Sequence, residues 1–161
     1  MIRLGELMVE RGVLTPAQRD EALAAQEGGH ARPLGVIVEE MFGVDPAQVE
    51  SAWAQQYAMI APRLDPRRIE PDPDLLGVVS SRQAWQFGLI PARESHDELL
   101  CVTAPAFLAR ALRFTGWRLD RPVSFAICDH AQLIGGLEMH YPVPGFSATM
   151  LDRALRDSPA A

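Results

Sequence analysis

The sequence predicts an α+β protein: an N-terminal four-helix repeat unit followed by a small ββαβα domain. Three observations predict it. Residues 4–26 (LGELMVERGVLTPAQRDEALAAQ) recur thirty positions later, without a gap, as residues 34–56 (LGVIVEEMFGVDPAQVESAWAQQ), and nine of the 23 positions are identical. Apolar residues within each copy recur at helical spacing. Beyond the repeat the chain changes to short β-rich runs, FGLIPA and ELLCVT, interleaved with helix-like stretches.

Each copy reads as a short helix, a turn and a longer helix. Thr15 and Asp45 are placed as N-caps, where a side-chain oxygen accepts a backbone N–H that the helix leaves unpaired. Pro16 and Pro46 follow at the first helical position, where a missing N–H costs nothing. Gln18 and Gln48 stand where a capping box places its Glu or Gln. The polar, glycine-rich stretch EGGHAR, Glu27 to Arg32, connects the copies. A single helix pair cannot bury its apolar face, so the copies bury each other, and residues 1–57 form a helical tandem-repeat subdomain of pseudo-twofold character. A duplicated unit of this kind suits a ligand that is itself two-fold symmetric.

Residues 58–73 are rich in Pro and Arg and predict a linker. Residues 74–141 predict a small α/β subdomain. A helix is expected over Asp74–Trp85. Strands are expected over Phe87–Ala92 and Glu98–Thr103, with Glu94–Asp97 as the turn between them. A helix from Pro105 to Thr115 is expected to end at Gly116. A third strand follows over Arg121–Ile127, then a last helix capped by Asp129 and running to His140. Pro142 and Pro144 close the compact part. Residues 142–161 form a C-terminal tail, with a weak amphipathic turn or two over Ser147–Arg156.

Composition excludes several classes of function. The chain of 161 residues carries a formal net charge of −6, which argues against gripping a nucleic acid polymer through an overall basic field. All 15 basic residues are Arg. With no Lys there is no P-loop lysine and no Schiff-base lysine, so an ATPase core is not expected. Cys101 and Cys128 stand in apolar stretches and read as buried core residues. The histidines His30, His96, His130 and His140 lack metal-ligand spacing, so no metal site is expected. The acidic pairs Glu39–Glu40 and Asp72–Asp74 have no second catalytic partner nearby. No catalytic residue is assigned, no cofactor is expected, and the protein is expected not to be an enzyme. No apolar run approaches the roughly 20 residues that span a membrane, and the first residues, MIRLGELMVERG, are too charged for a signal peptide. A cytoplasmic location without membrane insertion is the expectation.

The stretch RLGELMVERGVLTPAQRDEALAAQ resembles the motif at the N-terminus of type II secretion and type IV pilus assembly ATPases: Arg-Leu-Gly, then Leu, Gly and Leu positions, two further Leu at helical spacing, and a closing Gln. That family, whose domain is of the MshEN type, carries the motif twice. DPDLLGVVSSRQAWQFGLIPARESHDELLCVTAP is similar to the family's following segment, in which Pro-Asp-x-Leu-Leu precedes a helix, a Leu-Pro strand and an Asp-x-Leu strand. The resemblance covers residues 2 to 141 and presents the domain as a stand-alone protein without the ATPase core. It implies a bacterial regulatory module that binds cyclic di-GMP, one half of the dinucleotide per motif. It equally implies a docking role toward a protein partner in a secretion or pilus-type assembly.

The resemblance assigns ligand contact to Arg3, Leu4, Gly5, Leu23 and Gln26 in the first copy, along with Gly12 and Leu14 as motif positions. The second-copy set is Arg32, Leu34, Gly35, Val38, Trp53 and Gln56. Arg3 suits bidentate contact with guanine or phosphate. Gly5 permits close approach to backbone N–H groups near a helix start. Leu4 and Leu23 suit the face of a guanine, and Gln26 a base edge or the partner motif. The second copy departs from the pattern: Pro33 replaces Arg, with Arg32 beside it, Phe42 replaces Gly, and Trp53 replaces Leu. In the first copy Met8 and Arg19 replace Leu. Trp53 either stacks on guanine or serves as core, and the apolar stripe Leu4, Leu23, Leu34, Val38 and Val49 serves packing, ligand contact or both. Two functions stay open: a cyclic di-GMP-binding regulatory module, and an adaptor that keeps the fold but docks protein only.

Overall fold

A computed structural model of the chain describes residues 3–28, 32–145 and 153. The fold is α+β, and the described residues fall into two compact units that meet between Met59 and Ile60. The expected amphipathic turns over Ser147–Arg156 lie outside the described residues, Arg153 excepted.

In the first unit the helices are α1 (Leu4–Glu10), α2 (Pro16–Glu27), α3 (Leu34–Phe42) and α4 (Pro46–Ile60). The cap at Thr15 is reciprocal. Its hydroxyl accepts from the Gln18 N–H at 3.1 Å, while its own N–H donates to Gln18 Oε1 at 2.9 Å. At the matching position of the second copy, Asp45 Oδ1 accepts from the Ala47 N–H at 3.0 Å. Both short helices run out into a left-handed glycine, Gly43 at φ 63° as the cap of α3 itself and Gly12 at φ 72° one residue after the Arg11 cap of α1. The unit's core is drawn from both copies. Leu7, Met8, Leu14 and Ala22 come from the first, and Ile37, Val38, Val49 and Ala52 from the second. Their burial is what neither helix pair achieves alone.

The second unit holds a three-stranded mixed sheet in the order β1 (Leu89–Ser95), β2 (Glu98–Thr103) and β3 (Val123–Ile127). β1 and β2 form an antiparallel hairpin. β2 and β3 run parallel, joined through α7 (Pro105–Arg118) as a β-α-β crossover. Pro91 stands on the edge strand beside a register shift between Pro91 and Arg93, a setting in which a sheet tolerates its missing N–H. α8 (His130–His140) packs against β1, and its Asp129 cap forms the same reciprocal box with Gln132 that Thr15 forms with Gln18. Leu89, Ile90, Leu99, Phe107, Leu108, Phe125, Ile127, Leu133 and Leu137 fill the core. Trp85 Nε1 donates to the Tyr141 carbonyl at 2.7 Å, and the Tyr141 hydroxyl donates to the Leu76 carbonyl at 2.7 Å. These two bonds tie the end of the second unit to the residues at its start.

Several boundaries differ from expectation, each for a local reason. The helix expected over Asp74–Trp85 is two helices, α5 (Pro73–Leu76) and α6 (Ser81–Phe87). Gly77 ends the first, and Ser80 caps the second in a box with Gln83. The first strand starts at Leu89 rather than Phe87. Gly88 ends α6 at φ 67°, and any Cβ there would fall 2.5 Å from the Phe107 ring, so helix and strand are separated by a position only glycine fills. The strand then runs past Ala92 to Ser95, and the turn shrinks to His96 and Asp97. α7 runs through Gly116 to Arg118. The stretch from Ile60 onward is packed rather than free. The Ile127 N–H donates to the Pro62 carbonyl at 2.8 Å, and the Leu64 N–H donates to the Ile127 carbonyl at 3.1 Å. Arg63 thereby bridges to the end of β3 in parallel, and Pro66 is buried under Gly136 of α8.

Candidate ligand-binding site

The candidate site lies in the first unit, where the beginnings of the two motifs converge. A Cβ built on Gly5 at the start of α1 would lie 3.3 Å from Leu34 Cδ2 at the start of α3. Leu4 and Leu34 are both half-buried and both pack on the unit's core, so each leaves part of its side chain at the surface.

Arg3 stands just before α1 in extended backbone, with its side chain exposed. Its own N–H donates to Glu6 Oε2 at 3.1 Å. A carboxylate therefore already occupies the first turn of this seven-residue helix. The Glu6 carboxylate satisfies the N–H of Arg3 and places a negative charge in the first turn, a favourable position at the positive end of a helix.

Gly5 and Gly35 are buried, and both are closed by the longer helix of their own copy. At Gly5 a Cβ would meet Arg19 Cγ at 3.1 Å; at Gly35 it would meet Val49 Cγ1 at 2.7 Å. Arg19 and Val49 are themselves repeat mates. The aliphatic stem of Arg19 covers Gly5 as Val49 covers Gly35, while its guanidinium reaches Asp20 at 2.9 Å. The departure from Leu at position 19 thus preserves the contact that the repeat needs, and both glycines serve helix packing. Val38 has no exposed surface at all and belongs to the core.

The remaining assigned residues spread along the long helices. Leu23 is half-buried on α2. Its repeat mate Trp53 on α4 is 38 % exposed, with its ring centroid 5.6 Å from that of Tyr57 and the planes inclined by 50°. Gln26 Nε2 donates to the Arg32 carbonyl at 3.0 Å, closing the connector between the copies. Gln56, at the corresponding place on α4, is half-buried. Arg32 is exposed and pairs with Glu40 of α3. Its guanidinium is thereby drawn toward α3, the helix that follows it. Phe42, at the glycine position of the motif, packs against the core.

One residue outside the motif's list joins the two copies. Arg11, the C-cap of α1, donates from Nη1 to Gln55 Oε1 at 3.0 Å and from Nη2 to Ser51 Oγ at 2.8 Å. Its repeat mate is Met41, so the alignment of the copies gives no signal for it. The contact arises from the one turn of α4 that faces the end of α1.

Among the described residues, no group of His, Cys, Asp and Glu is arranged to hold a metal ion, and no helix is long and apolar enough to cross a membrane. Burial pushes the Cys101 and Cys128 thiols up to about 12, so neither is a thiolate near neutral pH.

Comparison with known proteins finds a family match over the second unit. The chain is similar to a structure of MshE with cdg: 27% identity, covering 88% of this chain and 100% of that one, with a TM-score of 0.48. It is also similar to the N-terminal domain of XpsE, at 20% identity over 84% of this chain and 92% of that one, TM-score 0.44. A second structure of the XpsE domain gives 19% identity, 83% and 90% coverage, and a TM-score of 0.42. No curated protein matches the chain. The MshEN domain matches residues 57–146, which is more than half of the chain and corresponds to the second unit. The chain belongs to the MshEN domain family.

Proposed function

We propose that this protein is a regulatory module that binds cyclic di-GMP across its tandem repeat, related to the N-terminal domains of type II secretion and type IV pilus ATPases. The observation that carries the reading is the convergence of the two motif starts, with Gly5 against Leu34. A dinucleotide with two guanines and two phosphates meets, at one face, an exposed arginine and two half-buried leucines. Arg3 supplies the bidentate charged contact. Leu4, Leu34 and Leu23 supply apolar cover for a base, and Trp53 supplies the aromatic surface on the second copy. Gln26 and Arg32 shape the connector that borders the site. Bound ligand alters how this surface meets a partner in a secretion or pilus-type assembly. The chain has no Lys, so a P-loop ATPase core has no place within these residues.

A second reading is an adaptor that docks a protein partner and binds no dinucleotide. One set of observations favours it: in the second copy Pro33 stands at the Arg position, Arg32 is paired with Glu40, and Phe42 packs into the core.

Thermal shift separates the two. A ligand that binds only the folded state stabilises it by about 2.7 kcal/mol at a hundred times its Kd. Cyclic di-GMP is expected to raise the melting temperature in a concentration-dependent way, with GMP, which can fill only one half-site, far less effective. An unchanged melting temperature at saturating dinucleotide leaves the adaptor reading standing.

A further inference from the structure

Arg11 closes α1, and its backbone is fixed there. Its N–H donates to the Leu7 carbonyl at 3.0 Å, and the N–H of Gly12 beyond it donates to the Val9 carbonyl at 3.0 Å before the chain turns away. From this base the guanidinium reaches α4. One terminal nitrogen holds Gln55 at 3.0 Å and the other holds Ser51 at 2.8 Å. Ser51 and Gln55 stand four residues apart, so they share one face of that helix, and the planar fork of an arginine engages both at once. A two-point contact restrains direction as well as distance.

The three residues depart from the repeat together. At the thirty-residue offset Arg11 is matched by Met41, Ser51 by Glu21 and Gln55 by Ala25. A methionine has no donor, so the symmetry of the copies does not extend to this contact. Nor does the core depend on it. All three side chains are exposed, and the buried residues that join the copies lie elsewhere. What the contact does join is the helix of the first motif to the turn of α4 that carries Trp53. Arg3 and Arg11 stand at opposite ends of α1, a rigid rod of roughly 12 Å at 1.5 Å per residue. Trp53 lies between Ser51 and Gln55 in the sequence of α4. Tying Arg11 to that turn therefore sets how far Arg3 and Leu4 lie from Trp53.

Resting on the reading of the tandem repeat as a dinucleotide site, we infer that Arg11 is a positioning residue that sets the spacing of the two half-sites and so selects a cyclic dinucleotide over a mononucleotide. A ligand with two linked halves gains from its second contact only when the second half-site sits where the link can reach. Holding the half-sites at that spacing before the ligand arrives removes part of the ordering cost of binding. A mononucleotide fills one half-site and gains nothing from the spacing. Arg11 acts through α1 and α4, and not as a charge offered to a phosphate.

The test titrates the full chain and its variants with cyclic di-GMP by calorimetry and with GMP by NMR chemical shift, which reads weak binding. Arg11→Ala is expected to weaken cyclic di-GMP binding about three- to tenfold, the effect of losing one or two exposed hydrogen bonds, and to leave GMP binding unchanged. Arg11→Lys keeps the charge but not the fork and is expected to behave as Arg11→Ala does. Ser51→Ala combined with Gln55→Ala is expected to reproduce the loss, and adding Arg11→Ala to that pair should weaken binding no further. Equal weakening of both ligands would give Arg11 a purely structural role and overturn the proposal. Full affinity in Arg11→Lys would make the residue a charge for the phosphates, and full affinity in the Ser51→Ala, Gln55→Ala pair would remove α4 from the contact; either overturns it. A flat cyclic di-GMP titration of the unchanged protein overturns the dinucleotide reading and the proposal with it, whereas binding that Arg11→Ala leaves intact overturns the proposal alone.

Discussion

Gly5 and Gly35 occupy the same place in the two copies and face the same place on the following helix, yet they differ in how much room is left. At Gly35 an added Cβ falls 2.7 Å from Cγ1 of Val49, whose branched side chain has little freedom to withdraw; at Gly5 it falls 3.1 Å from Cγ of Arg19, a flexible stem. Gly35→Ala is therefore expected to destabilise the first unit by about 1–2 kcal/mol. Gly5→Ala is expected to be nearly neutral, the gain in helix propensity offsetting the crowding. Denaturant unfolding of the two variants measures the difference, and equal effects would sink the packing explanation. These positions also show the limit of reading a repeat from sequence. Identity between copies marks Gly5 and Gly35 as special, but helix–helix packing and ligand approach leave the same signature. The positions of Arg19 and Val49 supply the packing reason for both glycines. Val38 illustrates the same limit: a residue at helical spacing is assigned to a face by its neighbours in space, and its neighbours turn out to be core.

The elements were legible wherever a cap or a turn has local chemistry. Thr15, Asp45, Ser80 and Asp129 each cap a helix by accepting a backbone N–H. Three of these caps are readable from the residue alone. Ser80 was absorbed into a longer expected helix because Gly77, three residues earlier, gives only a weak stop signal within an otherwise helical pattern. The connection expected at residues 58–73 is packed along the second unit; the carbonyl of Pro62 accepts from β3, and a Pro side chain is apolar enough to be buried. The β1–β2 hairpin carries a testable strain. His96 and Asp97 both have positive φ, at 50° and 65°. This is the conformation of a two-residue turn that favours Asn-Gly. Asp97→Gly is expected to stabilise the second unit by about 0.5–1 kcal/mol, since a non-glycine residue pays about that much or more in the left-handed region. A lower melting temperature in that variant would mean that the Asp97 side chain supplies something the backbone angles do not reveal.

At the scale of the whole molecule, an acid limb of stability is built into the second unit. The Arg67 guanidinium holds the Asp65 carboxyl down to about 2, chiefly through side-chain hydrogen bonds at 2.8 to 3.3 Å, against an ordinary value of 3.8. A carboxyl whose folded-state pKa is depressed stabilises the fold above its unfolded value and loses that contribution as it protonates. Thermal melts are thus expected to lose stability between about pH 4 and pH 2, and Asp65→Asn should flatten that part of the profile. A profile identical to the unchanged protein would remove Asp65 from the account. The candidate site was legible as a motif, from the thirty-residue offset and its identities. Its division of labour was not, because Glu6, Arg19 and Glu40 act on Arg3, Gly5 and Arg32 through space, and only the folded arrangement brings them there. The central claim, that the tandem repeat binds cyclic di-GMP, is tested most directly by calorimetric titration of the full chain alongside Arg3→Ala. The account predicts saturable heat for the unchanged protein and affinity lower by roughly ten- to a hundredfold for Arg3→Ala, the effect of losing a charged hydrogen-bonding contact of about 1.5–3 kcal/mol, with no change in melting temperature. A flat titration of the unchanged protein, or equal affinity in both, would contradict it.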